Sequence, residues 1–185
     1  PILLSRTGYT GEDGFELYGA HDVIAYCWDR LVESGQCKPC GLGCRDTLRF
    51  EVGLPLYGDE LSDSISPIEA GLGIFVKLDK EGGFIGRDAC AAQKAEGPRR
   101  KLVGLEILDR AIARHGAEVL SPDGEVIGHV TTGYRGLSVD KSIAMALIDA
   151  RYAAQGTEGL SVRVRRKTFP VAVVPKRFFK KSYKK

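Results

Sequence analysis

The segment GYTGEDGFELY, Gly8 to Tyr18, sets three glycines among three acids, Glu12, Asp13 and Glu16. Glycine-rich turns often cradle phosphate through backbone N–H groups, but these carboxylates would repel an anion, so a nucleotide loop is a poor reading. Asp13-Gly14 lies between an extended run, Ile2 to Leu4, and the alternating run Phe15-Glu16-Leu17-Tyr18, which is a hairpin signal. A side-chain period of two sends Phe15 and Leu17 to one face and Glu16 and Tyr18 to the other. Glu16 is then an acid held in place by a strand, with Glu12 and Asp13 as solvated turn residues. Whether Glu16 faces water or a ligand is left open by the spacing.

Two further groups have types and spacing suited to chemistry. Arg45 and Arg49 stand four apart in GLGCRDTLRFEVGL and share a helix face. That face could meet a carboxylate, or it could be a solvated pair answered by Asp46 or Glu51. Cys37, Cys40 and Cys44 resemble part of a zinc or iron–sulfur site, but Cys27, Cys90 and His21 are scattered and supply no spaced fourth ligand. Small buried cysteines and no metal are therefore expected. His21, His115 and His129 belong to no Ser-His-Asp or Cys-His arrangement.

The elements that must position these residues follow from periodicity. Val23, Ile24, Cys27, Trp28 and Leu31 recur at three and four and predict a helix over Ala20 to Ser34. The second helix carries the arginines, with Cys44, Leu48 and Val52 on its other side. SPIEAGLGIFVKLDK predicts a Ser-Pro helix start and then an apolar extended run to about Leu78, and GRDACAAQKAEG a short helix between glycines. Gly97-Pro98-Arg99-Arg100 is a polar break. It divides an α+β part, residues 1–97, from a small all-β barrel or sandwich, residues 98–185. The second part contains six β-rich runs: Leu102 to Leu108, Glu118 to Leu120, Val126 to Val130, Ile143 to Ile148, Leu160 to Arg166 and Phe169 to Val174.

Composition sets the outer bounds. With 185 residues, 43% hydrophobic and 28% charged, the chain can bury a core of ordinary globular kind. No window resembles a signal peptide or an 18-residue apolar span, and an odd five cysteines suit a reducing, cytosol-like compartment. No membrane role is expected. The formal charge of +3 misleads, because Lys176, Arg177, Lys180, Lys181, Lys184 and Lys185 crowd the last ten residues and leave a mildly acidic body. Such a tail is either a solvated terminus or an attractor of anionic partners. The strand-like run directly after Pro1 suggests a piece of a longer chain.

GYTGEDGFELY, GLGCRDTLRFEVGLPLYGDEL, SPIEAGLGIFVKL, FIGRDA, GHVTTG and IAMALID, in this order, resemble the second half of the aminomethyltransferases of the glycine cleavage system, the T-protein family. The resemblance implies a folate-binding, partly ferredoxin-like α+β domain followed by a barrel or jelly-roll-like domain. It implies tetrahydrofolate as co-substrate and the lipoylated H-protein as partner. The activity would take an aminomethyl group from the dihydrolipoyl arm, release ammonia and give methylene-tetrahydrofolate. The family's folate contacts fall on Glu16, Arg45 and, near the C-terminus, Tyr183. RFFKKSYKK lacks the expected proline-containing ending, and TTGYRGLS departs from the family's TSG loop. The family's key aspartate belongs to the N-terminal half, so the resemblance implies no catalytic residue in this chain, which alone is expected to be inactive. By the same resemblance the compartment is the cytoplasm, or the mitochondrial matrix in a eukaryote.

Three other readings compete. A folate-binding relative without aminomethyl transfer would carry a cysteine-containing glycine motif that is not found. The folate domain of a dimethylglycine or sarcosine oxidising flavoenzyme would follow a flavin domain. A nucleic-acid-binding barrel using the lysine tail would need interleaved aromatics that are absent, so no nucleic-acid partner is expected.

Overall fold

A computed structural model describes residues 1–180; Tyr183 lies outside the described residues. The chain forms two compact units, Pro1–Leu54 and Pro55–Lys185, so Gly97 falls within the second.

In the first unit, β1 (Ile2–Ser5) pairs antiparallel with β2 (Glu16–Gly19), with Ser5 opposite Glu16 and Leu3 opposite Tyr18. The hairpin is there, but Asp13-Gly14 is not a tight turn. Residues 6–15 form one long connection in which Gly11, at φ +73°, takes the left-handed conformation. A Cβ at Gly11 would lie 2.7–2.9 Å from the Val52 side chain, so only glycine lets the connection rest there. Helix α1 (His21–Glu33) follows, and Ile24 reaches Gly19 at the end of β2.

Helix α2 (Leu42–Glu51) buries Arg49, Phe50 and Glu51, not the expected Cys44 and Leu48 stripe. Periodicity failed here because the buried patch is the last turn of the helix rather than a stripe along it.

The second unit opens with turns. Ser66 and Glu69 form a reciprocal capping box: the Glu69 N–H donates to Ser66 Oγ at 3.1 Å and the Ser66 N–H to Glu69 Oε2 at 3.0 Å. The apolar run after it is not extended. It makes a 3-10 turn, Gly73–Phe75, that leaves Ile74 and Phe75 exposed. Helix α3 (Arg87–Glu96) sits between Gly86 and Gly97 as its sequence requires.

Six antiparallel strands then close a barrel in the order β3-β6-β5-β4-β7-β8, with β8 returning to β3. They are β3 (Arg100–Ile107), β4 (Glu118–Leu120), β5 (Val126–Arg135), β6 (Ser142–Asp149), β7 (Ser161–Val164) and β8 (Lys167–Val174). Leu105, Val119, Val130, Ala144, Ala146, Ile148 and Val162 fill the core. Alternating small residues on β6 suit a barrel of only six strands, where opposite walls are close. Two expectations need correction. Thr131-Thr132-Gly133 is no loop but lies inside β5, at an irregularity in its register with β6. A Cβ on Gly133 would lie 1.8 Å from the Ala113 carbonyl oxygen, so the backbones meet there directly. Arg165 and Arg166 do not extend β7; they are the two-residue turn into β8.

Candidate functional site

Glu16 is the first residue of β2 and half-buried. Thr7 Oγ1, in the connection that precedes it, donates to Glu16 Oε2. Tyr18 lies on the same side of the strand as the period of two requires. Desolvation, and the adjacent Glu16 charge and hydrogen bond, push its phenol above the usual value. From the same connection, the Tyr9 ring lies under the Arg45 guanidinium, 4.6 Å from the ring centre. Gly11 seats that connection on Val52, the residue that caps α2. One ten-residue segment thus touches both predicted residues, Glu16 through Thr7 and Arg45 through Tyr9.

Arg45 and Arg49 part company. Arg49 is fully buried, its Nε 2.7 Å from Asp46 Oδ1 and its Nη1 donating to the Leu54 carbonyl at 3.1 Å. It holds the end of α2 together, and Arg45 is left exposed. Cys37, Cys40 and Cys44 are exposed rather than buried as expected, because they lie on the solvent side of the loop and first turn of this helix. Cys40 and Cys44 are neighbours there, and the hydrogen bond between them raises the Cys44 thiol. Among the described residues no group of three or more His, Cys, Asp and Glu side chains could hold a metal ion.

The second unit contains a polar cluster that sequence reasoning missed. Glu60 is fully buried and accepts from Thr131 Oγ1 at 2.7 Å, Thr132 Oγ1 at 2.6 Å and the Leu56 N–H at 2.9 Å. Lys176 Nζ donates to the Ala70 carbonyl at 2.6 Å; burial lowers its ammonium while the Glu60 charge works against that shift. Lys176 is therefore a half-buried partner of the barrel rather than part of a solvated tail. Its only sequence signal was an acid in PLYGDEL and a hydroxyl pair in TTG, more than seventy positions apart, which no local pattern connects.

In the first unit a short strand and a helix N-terminal turn, bridged by a threonine- and tyrosine-bearing segment, carry a carboxylate and an aromatic-backed guanidinium; the second unit is an antiparallel barrel. Residues 1–80 match the GCVT N-terminal domain, and residues 100–180 the glycine cleavage T-protein C-terminal barrel domain. The chain belongs to the glycine cleavage T-protein family. It is 53% identical to the aminomethyltransferase of Caldanaerobacter subterraneus subsp. tengcongensis over 99% of this chain and 49% of that one. It is 55% identical to the aminomethyltransferase of Alkaliphilus oremlandii, over 99% and 50%. The crystal structure of glycine cleavage system aminomethyltransferase T from Bartonella henselae superposes with a TM-score of 0.90 at 32% identity, covering 96% of this chain and 50% of that one. The chain spans about half the length of the relatives it matches. No helix among the described residues is long and apolar enough to cross a membrane.

Proposed function

We propose that this chain supplies the folate-binding wall and the barrel of an aminomethyltransferase. Its co-substrate is tetrahydrofolate, and its one-carbon donor is the aminomethylated dihydrolipoyl arm of the H-protein. The carrying observation is the segment 6–15, which contacts Glu16 through Thr7 and Arg45 through Tyr9.

The donor set fits a pterin. A pterin edge presents a ring N–H beside an amino group, and one carboxylate can accept from both in paired, charge-assisted bonds. Glu16 has its second oxygen bonded by Thr7, which restricts how the carboxylate turns. Arg45, stacked on Tyr9, offers a planar fork for a carboxylate or a polarised carbonyl of the same ligand. The roles of these residues are to bind and orient, leaving proton transfer to a group outside this chain. Tyr183 is a third proposed contact. A family of soluble one-carbon enzymes fits a cytoplasmic or matrix location.

Titration calorimetry with 5-formyl-tetrahydrofolate, a stable analogue, tests the site. Glu16→Gln keeps the shape but puts a donor where an acceptor is needed, so affinity should fall roughly ten- to a hundredfold. The melting temperature should hardly change, because Glu16 lies outside the core. Unchanged affinity in Glu16→Gln and Arg45→Ala alike would remove folate from this surface.

A further inference from the structure

The second unit carries a basic groove that the folate reading does not use. It runs between the β3–β4 connection and the β7–β8 hairpin, with a volume of about 1240 Å³. Some of its basic side chains are already engaged. Arg163 pairs with Glu118. Arg114 stacks on the Tyr134 ring at 4.7 Å and donates to the Gly133 carbonyl. His115 Nδ1 lies 2.7 Å from the Thr131 carbonyl oxygen and 3.2 Å from Asp59 Oδ1. Four others, Arg110, Arg165, Arg166 and Lys167, are exposed, and among the described residues their charged groups have no hydrogen bond or ion pair. Between them the lining is apolar: Ile112, 37% exposed, with Val164 and Phe169 half-buried.

The hairpin itself points to a ligand. Val164 pairs with Lys167, so Arg165-Arg166 is a two-residue turn, and Arg165 adopts φ +58°. Turns of this kind favour Gly, Asn or Asp at positive φ, and an arginine there forgoes stability. Three consecutive cations at the tip also repel one another. Neither feature helps the barrel close; both place guanidinium groups on the rim of the groove.

We propose that this groove binds an acidic polypeptide segment, one in which carboxylates flank an apolar side chain. The four free cations take the carboxylates, the two rim arginines in forked pairs, and the apolar side chain lies against Ile112 and Phe169. A single-stranded nucleic acid fits less well, because its bases need successive aromatic platforms and the groove lining offers Phe169 and a His115 ring already held by Thr131 and Asp59.

The test uses the 185-residue chain and a fluorescent peptide of Glu-Glu-Leu repeats, followed by anisotropy, with labelled oligo-dT as the competing probe. Binding of the peptide should weaken at least about tenfold in R165E/R166E and fall steeply with added salt. Ile112→Ser should weaken it several-fold with the salt slope unchanged. Arg165→Gly separates binding from folding: it relieves the backbone, so the melting temperature should rise by about 2 °C while peptide affinity falls. Reversing Arg30 and Lys38, exposed on the first unit, should leave affinity unchanged. The proposal is overturned if the peptide does not bind at low salt, if oligo-dT binds more tightly, or if the Arg30 and Lys38 reversal weakens the peptide equally. It is also overturned if only neutralising Lys184 and Lys185 has an effect. Folate affinity is independent of all these outcomes, so failure here leaves the folate site standing.

Discussion

Two donors converge on the nearly buried carboxylate of Glu69: the Ser66 N–H at 3.0 Å and Arg100 Nε at 2.8 Å. Burial pushes this carboxyl up, but the hydrogen bonds and charge of Arg100 and the Ser66 N–H outweigh it, so it titrates below its ordinary value of 4.5. A carboxyl whose folded pKa is depressed contributes stability that is complete above the unfolded value and is lost as pH falls through the folded one. Glu69→Gln should therefore melt below the parent at neutral pH, and the gap should close as the pH is taken below about 4.5. Thermal melts of both proteins across that range decide it. A gap that stays constant would mean that Glu69 acts by packing and capping geometry rather than by its charge. The Arg49 environment shows why residue identity alone misleads. Two arginines four apart looked equivalent in sequence, yet one has no exposed surface and holds a helix end while the other stands on an aromatic ring.

Among the elements, the segment between β1 and β2 carries the greatest consequence for the proposed site, because it contacts both Glu16 and Arg45, and Gly11 fixes where it rests. Gly11→Ala faces two penalties, a left-handed φ and a Cβ 2.7 Å from a Val52 methyl. Together they should destabilise by about 2 kcal/mol and move Tyr9 and Thr7 away from Arg45 and Glu16. Adding Val52→Ala removes the methyls at 2.7 and 2.8 Å but leaves the Val52 Cβ at 2.9 Å and the left-handed φ, so the double variant should recover only part of the stability and part of the folate-analogue affinity. Full loss of affinity with no loss of stability would place the effect elsewhere. These elements also mark what was legible in the sequence. The six barrel strands, α1 and α3 follow from period and from glycine and proline punctuation, which are local signals. Glu16 and Arg45 were named from motif resemblance, and the shared contact segment between them could not be read, because nothing in the spacing of Thr7 and Tyr9 marks their partners. Glu60 was invisible for the related reason that a buried carboxylate is explained by hydroxyls on a strand far along the chain. The 3-10 turn at Gly73–Phe75 was misread as extended because a short apolar run has no period to separate the two.

At the scale of the whole molecule the two units differ in how well they satisfy themselves. The barrel has a closed sheet and a continuous core. The first unit has a two-stranded sheet whose Leu3, Leu4 and Tyr18 are each at least half exposed, and a helix α1 with no buried residue and Trp28 54% exposed. A two-stranded sheet with apolar side chains facing water is marginal by itself and gains stability when further strands or helices cover it. Proton transfer in aminomethyl transfer also requires an acid within hydrogen-bond distance of the reacting nitrogen and a channel closed against water. In the proposed site Glu16 is committed to the pterin edge, and Arg45 stays charged and cannot serve as a base. The 185-residue chain by itself should therefore release no ammonia from aminomethylated H-protein and tetrahydrofolate. Supplying the remaining half of a relative as a separate polypeptide should restore release and raise the melting temperature of the first unit, because the same contacts would cover its apolar sheet and complete the channel. Release by the chain alone at a rate near that of an intact relative would refute this, and would direct attention to Asp46, Glu51 and Asp59 as an overlooked base.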